Sequence, residues 1–236
     1  MREDIRYIAF DADDTLWDCQ GHFERVMQEL YTLLEPWTDR KTAAKELYAT
    51  ERKNMPLLGY GTKAFSLSMI ETALRVSNYE MKAEQLSWLQ NECYSLLELP
   101  ATPLPEVEET LAELQRRGWH MAVFTKGELL DQEHKLERSG LSRFFEHVEI
   151  TSDKTEHEFR QLCHHLSVQP EELLMVGNSL KSDIAPALAI GAAAIHIPFH
   201  VTWELEHSET FEHKRLTYIT HFGQLLDLLG PFRHIE

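Results

Sequence analysis

The stretch Ile5-Arg6-Tyr7-Ile8-Ala9-Phe10-Asp11-Ala12-Asp13-Asp14-Thr15-Leu16 decides how the chain is read. Its first half is mostly apolar and strand-like. Directly behind it, three carboxylates (Asp11, Asp13 and Asp14) occupy four positions. Carboxylates a few ångströms apart raise one another's pKa and stay ionised together only beside a cation. In open parallel sheets ligands sit outside the carboxyl ends of the strands, so the polar residues at every strand end become the candidates for function.

From Pro105 onward, short β-like runs alternate with amphipathic helices. A helix is expected over Glu106 to Arg117, closed by Gly118, then a strand over Trp119 to Thr125 and a helix over Glu128 to Ser139, stopped by Gly140. There follow a strand over Phe145 to Ile150, a helix from about Thr155 to Leu166, a strand over Leu173 to Gly177, a helix around Ser182 to Ile190 and a strand over Ala193 to Ile197. The strands are nearly continuous in apolar residues, as when helices cover both faces of a parallel sheet. The pattern predicts an α/β domain with a doubly wound parallel sheet.

Between Gln20 and Leu99 the periodicity turns helical, with Phe23, Met27, Leu30 and Leu34 in one run and Leu86, Leu89, Cys93 and Leu96 in another. Breaks at Pro36, at Pro56 through Gly61 and at Ser77-Asn78 divide it into about four helices. The exit, Pro100-Ala101-Thr102-Pro103-Leu104-Pro105, is stiff and reads as a hinge. The expected organisation is an α/β core over 1–16 and 101–236, with a helical unit over 17–100 inserted after the first strand.

The 236 residues and 43% hydrophobic composition suffice for a sizeable core. With 39 acidic against 23 basic residues and a net charge of -16, the surface repels phosphate backbones and anionic lipids, so neither a nucleic-acid nor a membrane partner is expected. A small anionic substrate in a locally positive pocket stays compatible with this charge. The three cysteines, Cys19, Cys93 and Cys163, form no metal or disulfide pattern and read as free thiols of a reducing compartment. The N-terminus has no signal-like apolar segment, and Ile184 to Phe199 is too broken to span a bilayer, so a soluble cytoplasmic protein is expected. The histidines, His164-His165 among them, repeat no ligand spacing and read as solvated or structural. The segment His200-Val201-Thr202-Trp203-Glu204 either lines the entrance to the site or packs. The sequence is silent on oligomeric state.

The strand ends offer Asp11, Asp13, Asp14 and Thr15; then Thr125, Lys126 and Gly127; then Ser152, Asp153 and Lys154; and finally Gly177-Asn178-Ser179 with Asp183. Magnesium suits carboxylates together with a phosphate oxygen. Beside it Asp11 can attack phosphorus, and Asp13 can protonate the leaving oxygen and then take a proton from water. Thr125 and Lys154 supply a hydroxyl and a positive charge to the phosphoryl oxygens. Lys126 and Lys181 flank the site, and Lys126 is a further candidate for substrate binding, with an exposed surface lysine as the bland alternative.

These residues resemble the haloacid dehalogenase (HAD) superfamily. Asp11-Ala12-Asp13-Asp14-Thr15-Leu16 is similar to its DxDxTL first motif, Phe124-Thr125 to the second, Lys154 to the third, and Gly177-Asn178-Ser179 with Asp183 to the fourth, in the family's order. The resemblance implies a Rossmann-like, HAD-like core, a C1-type helical cap and magnesium-dependent phosphoryl transfer. It makes Asp11 nucleophile and metal ligand, Asp13 acid/base and ligand through its backbone carbonyl, and Asp183 a metal ligand. Many members carry Asp where this chain has Asn178; the neutral amide would bind metal more weakly, act through water or orient another ligand. The acidic Asp13 argues against dehalogenation. The expected function is hydrolysis of a small phosphomonoester through an aspartyl phosphate. The alternatives are a phosphomutase on the same scaffold and a ligand-binding protein with weak turnover.

Overall fold

A computed structural model describes residues 4–200 and 208–232 of the chain. Six parallel strands form one sheet in the order β3-β2-β1-β4-β5-β6: β1 (Tyr7–Phe10), β2 (His120–Lys126), β3 (His147–Thr151), β4 (Leu173–Gly177), β5 (Ala193–His196) and β6 (Leu216–Tyr218). Side chains alternate across a strand, and β1 shows the consequence. Ile8 and Phe10 enter a cluster with Leu111, Leu114, Val123, Val176 and Leu225, whereas Ala9 faces Phe124, Phe159, Leu162 and Met175 on the opposite side. Helices α5 (Val107–Arg116) and α9 (Leu225–Leu228) cover the first face, and α7 (Glu156–Leu166) and α8 (Ala185–Ala189) the second. The doubly wound α/β architecture is as the alternating sequence pattern requires.

From β1 the chain winds outward through β2 to β3, then returns to the other side of β1 with β4 and winds outward again to β6. The winding direction reverses between β1 and β4, which pair Ala9 with Met175. A reversal of this kind opens a crevice at the carboxyl ends of the two strands. Asp11 follows β1 and Asn178 follows β4, so both sit on that crevice.

Helices α1 (Gln20–Leu34), α2 (Arg40–Leu58), α3 (Thr62–Val76) and α4 (Ala83–Leu97) pack around a second cluster that includes Val26, Leu30, Leu47, Met69, Leu89 and Leu96. The break falls within the expected stretch Pro56 through Gly61: α2 runs through Pro56 to Leu58 and is capped by Gly59, whose φ of 70° favours glycine. Proline in the last turn forfeits one hydrogen bond without ending the helix. The chain leaves and re-enters the sheet layer side by side. Trp17 bridges Pro103, and the Leu104 amide donates to the Leu16 carbonyl at 2.9 Å.

The expected helix over Ser182 to Ile190 begins as a wide π turn, Leu180–Ile184, before continuing as α8. The β6 strand was not expected from the short, mixed run Leu216-Thr217-Tyr218. Residues 201–204, read as a possible entrance, lie outside the described residues. Among the described residues no helix is long and apolar enough to cross a membrane.

Candidate active site

Three of the expected residues meet at the reversal point. The Lys154 ammonium lies 2.5 Å from Asp11 Oδ1 and 2.6 Å from Asp183 Oδ1, and all three side chains are buried. Lys154 reaches them from the loop between β3 and the N-cap of α7, where Thr155 and Glu158 form a capping box. Asp183 is aimed by the π turn, and its Oδ2 accepts from the Ser179 amide at 2.9 Å. Gly177 makes room for it, since a Cβ there would stand 2.3 Å from Asp183 Oδ2. Thr15 Oγ1 donates to Asp11 Oδ2 at 3.0 Å and to Asn178 Oδ1 at 3.3 Å, which joins the first and fourth strand ends.

Two buried carboxylates share one ammonium here. Burial and the Asp183 charge push Asp11 up to about 7, against the opposing pull of Lys154. Lys154 is itself raised: burial lowers its affinity for a proton, but Asp11 and Asp183 more than offset this. A buried site with this excess of negative charge suits a further cation. Its oxygen donors, the Asp11 and Asp183 carboxylates and the half-buried Asn178 amide, are those a hard divalent ion prefers. The residues present therefore fit magnesium.

Asp13 occupies a separate, fully bonded setting. Its carboxylate accepts from Lys135 Nζ at 2.9 and 3.0 Å, from Gln132 Nε2 at 2.9 Å and from the Trp17 indole at 2.8 Å. Burial acts to raise its pKa, but Lys135 and these hydrogen bonds outweigh that and hold Asp13 below the usual carboxylate range. Gln132 also donates to Thr125 Oγ1 at 3.0 Å, which ties the second strand end to Asp13. Asp14 has a different task. With φ at 64°, it accepts from the Cys19 and Gln20 amides at 2.8 Å each, so it fixes the entry to α1, and burial pushes it up to about 7.

Lys126 is half-buried rather than exposed; its Nζ donates to Ser182 Oγ at 2.7 Å and lies 3.9 Å from the Tyr60 ring centroid. Lys181 stays exposed. Phe23, Met27 and Phe65 from the helices and Tyr60 from the loop between α2 and α3 face the strand ends across a cavity of about 180 Å³. Thr62 Oγ1, at the start of α3, donates to Asp131 Oδ2 at 2.9 Å, and the Lys63 amide donates to Glu128 Oε1 at 2.9 Å. The helices are thus latched to the start of α6 (Leu129–Ser139) beside the site.

Gln132 and Lys135 were not among the sequence candidates, nor was His196, whose Nε2 bonds the Asn178 carbonyl at 2.8 Å. A signal for two of them exists in α6. Its first two leucines, Leu129 and Leu130, are exposed while Asp131, Gln132 and Lys135 are buried alongside Leu136, so the inward face is largely polar, unlike that of an ordinary amphipathic helix.

The family model for haloacid dehalogenase-like hydrolases matches residues 5–191. The chain belongs to this family of hydrolases, as its four ordered motifs indicated. Along 95% of its length it is 26% identical to the whole of a glyceraldehyde 3-phosphate phosphatase from Methanothermobacter thermautotrophicus. It is 27% identical, over 80% of this chain and 81% of the relative, to N-acylneuraminate-9-phosphatase from Homo sapiens. Among solved structures, a haloacid dehalogenase-like family hydrolase from Xanthomonas campestris matches with a TM-score of 0.82 and 30% identity, over 92% of this chain and 86% of that one.

Proposed function

We propose that the protein is a magnesium-dependent phosphohydrolase that cleaves a small phosphorylated substrate through an aspartyl phosphate on Asp11. The observation that carries this reading is the convergence of Asp11, Lys154 and Asp183 at the reversal point of the sheet, with Asp13 held nearby in a different electrostatic setting. The relatives named as phosphatases of glyceraldehyde 3-phosphate and of N-acylneuraminate 9-phosphate support a phosphorylated carbohydrate as the substrate class.

Asp11, Asp183 and Asn178, with the Asp13 backbone carbonyl, would hold magnesium, which when bound lowers the charge repulsion between an anionic nucleophile and an anionic phosphoryl group. Asp11 attacks phosphorus while Lys154 and Thr125 hold the phosphoryl oxygens. The incoming phosphoryl charge raises the proton affinity of Asp13. Asp13 then protonates the leaving oxygen, and in the second step its carboxylate takes a proton from the water that releases phosphate. Lys126 sits where it can meet the leaving group or the phosphoryl oxygens. The helical unit over 17–100 acts as the cap on the core of 1–16 and 101–236, excluding water through Tyr60, Phe23 and Phe65. The free thiols Cys19, Cys93 and Cys163 suit a cytoplasmic setting.

The test is phosphate release from a panel of phosphomonoesters with magnesium, wild type beside Asp11→Asn. Turnover by wild type that collapses in the variant and under chelation is expected. Release that survives either treatment, or none from any ester, would overturn the proposal.

A further inference from the structure

The sheet carries a second group of metal-ligating side chains, on β3 and away from the strand ends. His147 and Glu149 are two residues apart on β3 and therefore share a face. His165, in the last turn of α7, comes down onto them. Glu149 Oε2 lies 2.8 Å from His147 Nε2 and 2.9 Å from His165 Nδ1, and the three donor atoms lie within 4.8 Å of one another. No ligand spacing along the chain pointed to His165, yet the fold supplies it with partners from the neighbouring strand.

We infer that His147, Glu149 and His165 form a binding site for a zinc-like divalent transition metal. Two imidazole nitrogens and one carboxylate are the donor set of zinc rather than of magnesium, which prefers oxygen alone. An ion about 2.1 Å from each donor in tetrahedral geometry separates the donors by about 3.4 Å. Glu149 would draw back from each histidine by about 0.5–0.6 Å, and the three side chains, 31%, 20% and 48% exposed, are not locked in a packed interior. Burial pushes Glu149 up, but its bonds to His147 and His165 outweigh this and hold it below its ordinary value, in the form that ligates. The net charge of -16 draws cations to the surface.

The site has a structural consequence. β3 is the sheet edge, and α7 follows it through the loop that carries Lys154. An ion shared by β3 and the end of α7 closes this strand-loop-helix unit at the end opposite Lys154. Three protein ligands leave a fourth position for water.

Zinc alone is the probe. Untagged full-length protein in excess magnesium, which occupies the strand-end site, is titrated with zinc against a chromophoric chelator, and unfolding is followed with and without zinc. Wild type is expected to bind zinc and to gain in Tm, and His147→Gln, Glu149→Gln and His165→Gln each to weaken binding by at least about tenfold. The variants should keep the wild-type response of Tm to magnesium, which shows that they fold. Zinc affinity unchanged in all three variants, or no binding by wild type at micromolar zinc, would overturn the inference.

Discussion

Replacing Asp11 by Asn is expected to abolish turnover and yet to stabilise the magnesium-free protein. Burial and Asp183 lift Asp11 from its ordinary 3.8 to about 7. A carboxylate whose folded-state pKa lies above its unfolded value destabilises the fold increasingly as pH climbs between the two. At 1.36 kcal/mol per pH unit, this interval corresponds to about 4 kcal/mol. Asparagine escapes that cost, which already includes the pull of Lys154 on the anion. The balance at pH 8 is about 4 kcal/mol in favour of the variant, a rise in Tm of about 8–16 °C for a chain of this size. At pH 5 wild type holds the proton and most of the cost is gone, so the advantage shrinks accordingly. Thermal unfolding in EDTA at the two pH values measures both. A variant less stable than wild type at pH 8 would refute the reasoning, because Lys154 would then stabilise the Asp11 anion fully.

Two further substitutions probe the surroundings. Lys135→Met removes the ammonium that joins Asp13 and Asp131 and is expected to lower stability by about 3 kcal/mol at pH 7. Because Asp13 is held below its ordinary pKa, its stabilisation is present above that value and lost as pH falls through the folded one. The gap between variant and wild type in urea unfolding should therefore narrow at pH 3.5. Gly177→Ala drives a methyl group to 2.3 Å from Asp183 Oδ2. Asp183 is pinned by Ser179 and Lys154 and cannot step aside, so the variant should lose about 1–3 kcal/mol and its thermal response to magnesium.

The sheet and its strand ends were legible because two rules act together. Apolar runs such as Leu173 to Gly177 announce buried parallel strands, and parallel strands deliver their carboxyl ends to one edge. Asp11, Thr125, Lys154 and Asp183 could thus be gathered before any coordinate was known. Gln132 and Lys135 escaped because a polar face on a helix ordinarily means solvent, and only the tertiary fold turns this one inward. Asp14 was visible as one more acid, but its work as a ligand of two backbone amides depends on a left-handed backbone that an aspartate does not advertise. The meeting of His147 with His165 depends on how α7 lies on β3, which no spacing along the chain encodes.

The crossing at Trp17 and Pro103 bears on how such a chain can be remodelled in evolution or by design. Where exit and return are already hydrogen-bonded to each other, whatever lies between them is a loop closed by the host. Closing a longer loop adds free energy only as the logarithm of its length. The sheet is thus indifferent to the size of its insert, and one helical unit could be exchanged for another without disturbing the strand order. Trp17 is the limit on that freedom. Its indole holds Asp13, so the graft points lie beyond it, and every exchangeable insert inherits the same fixed acid.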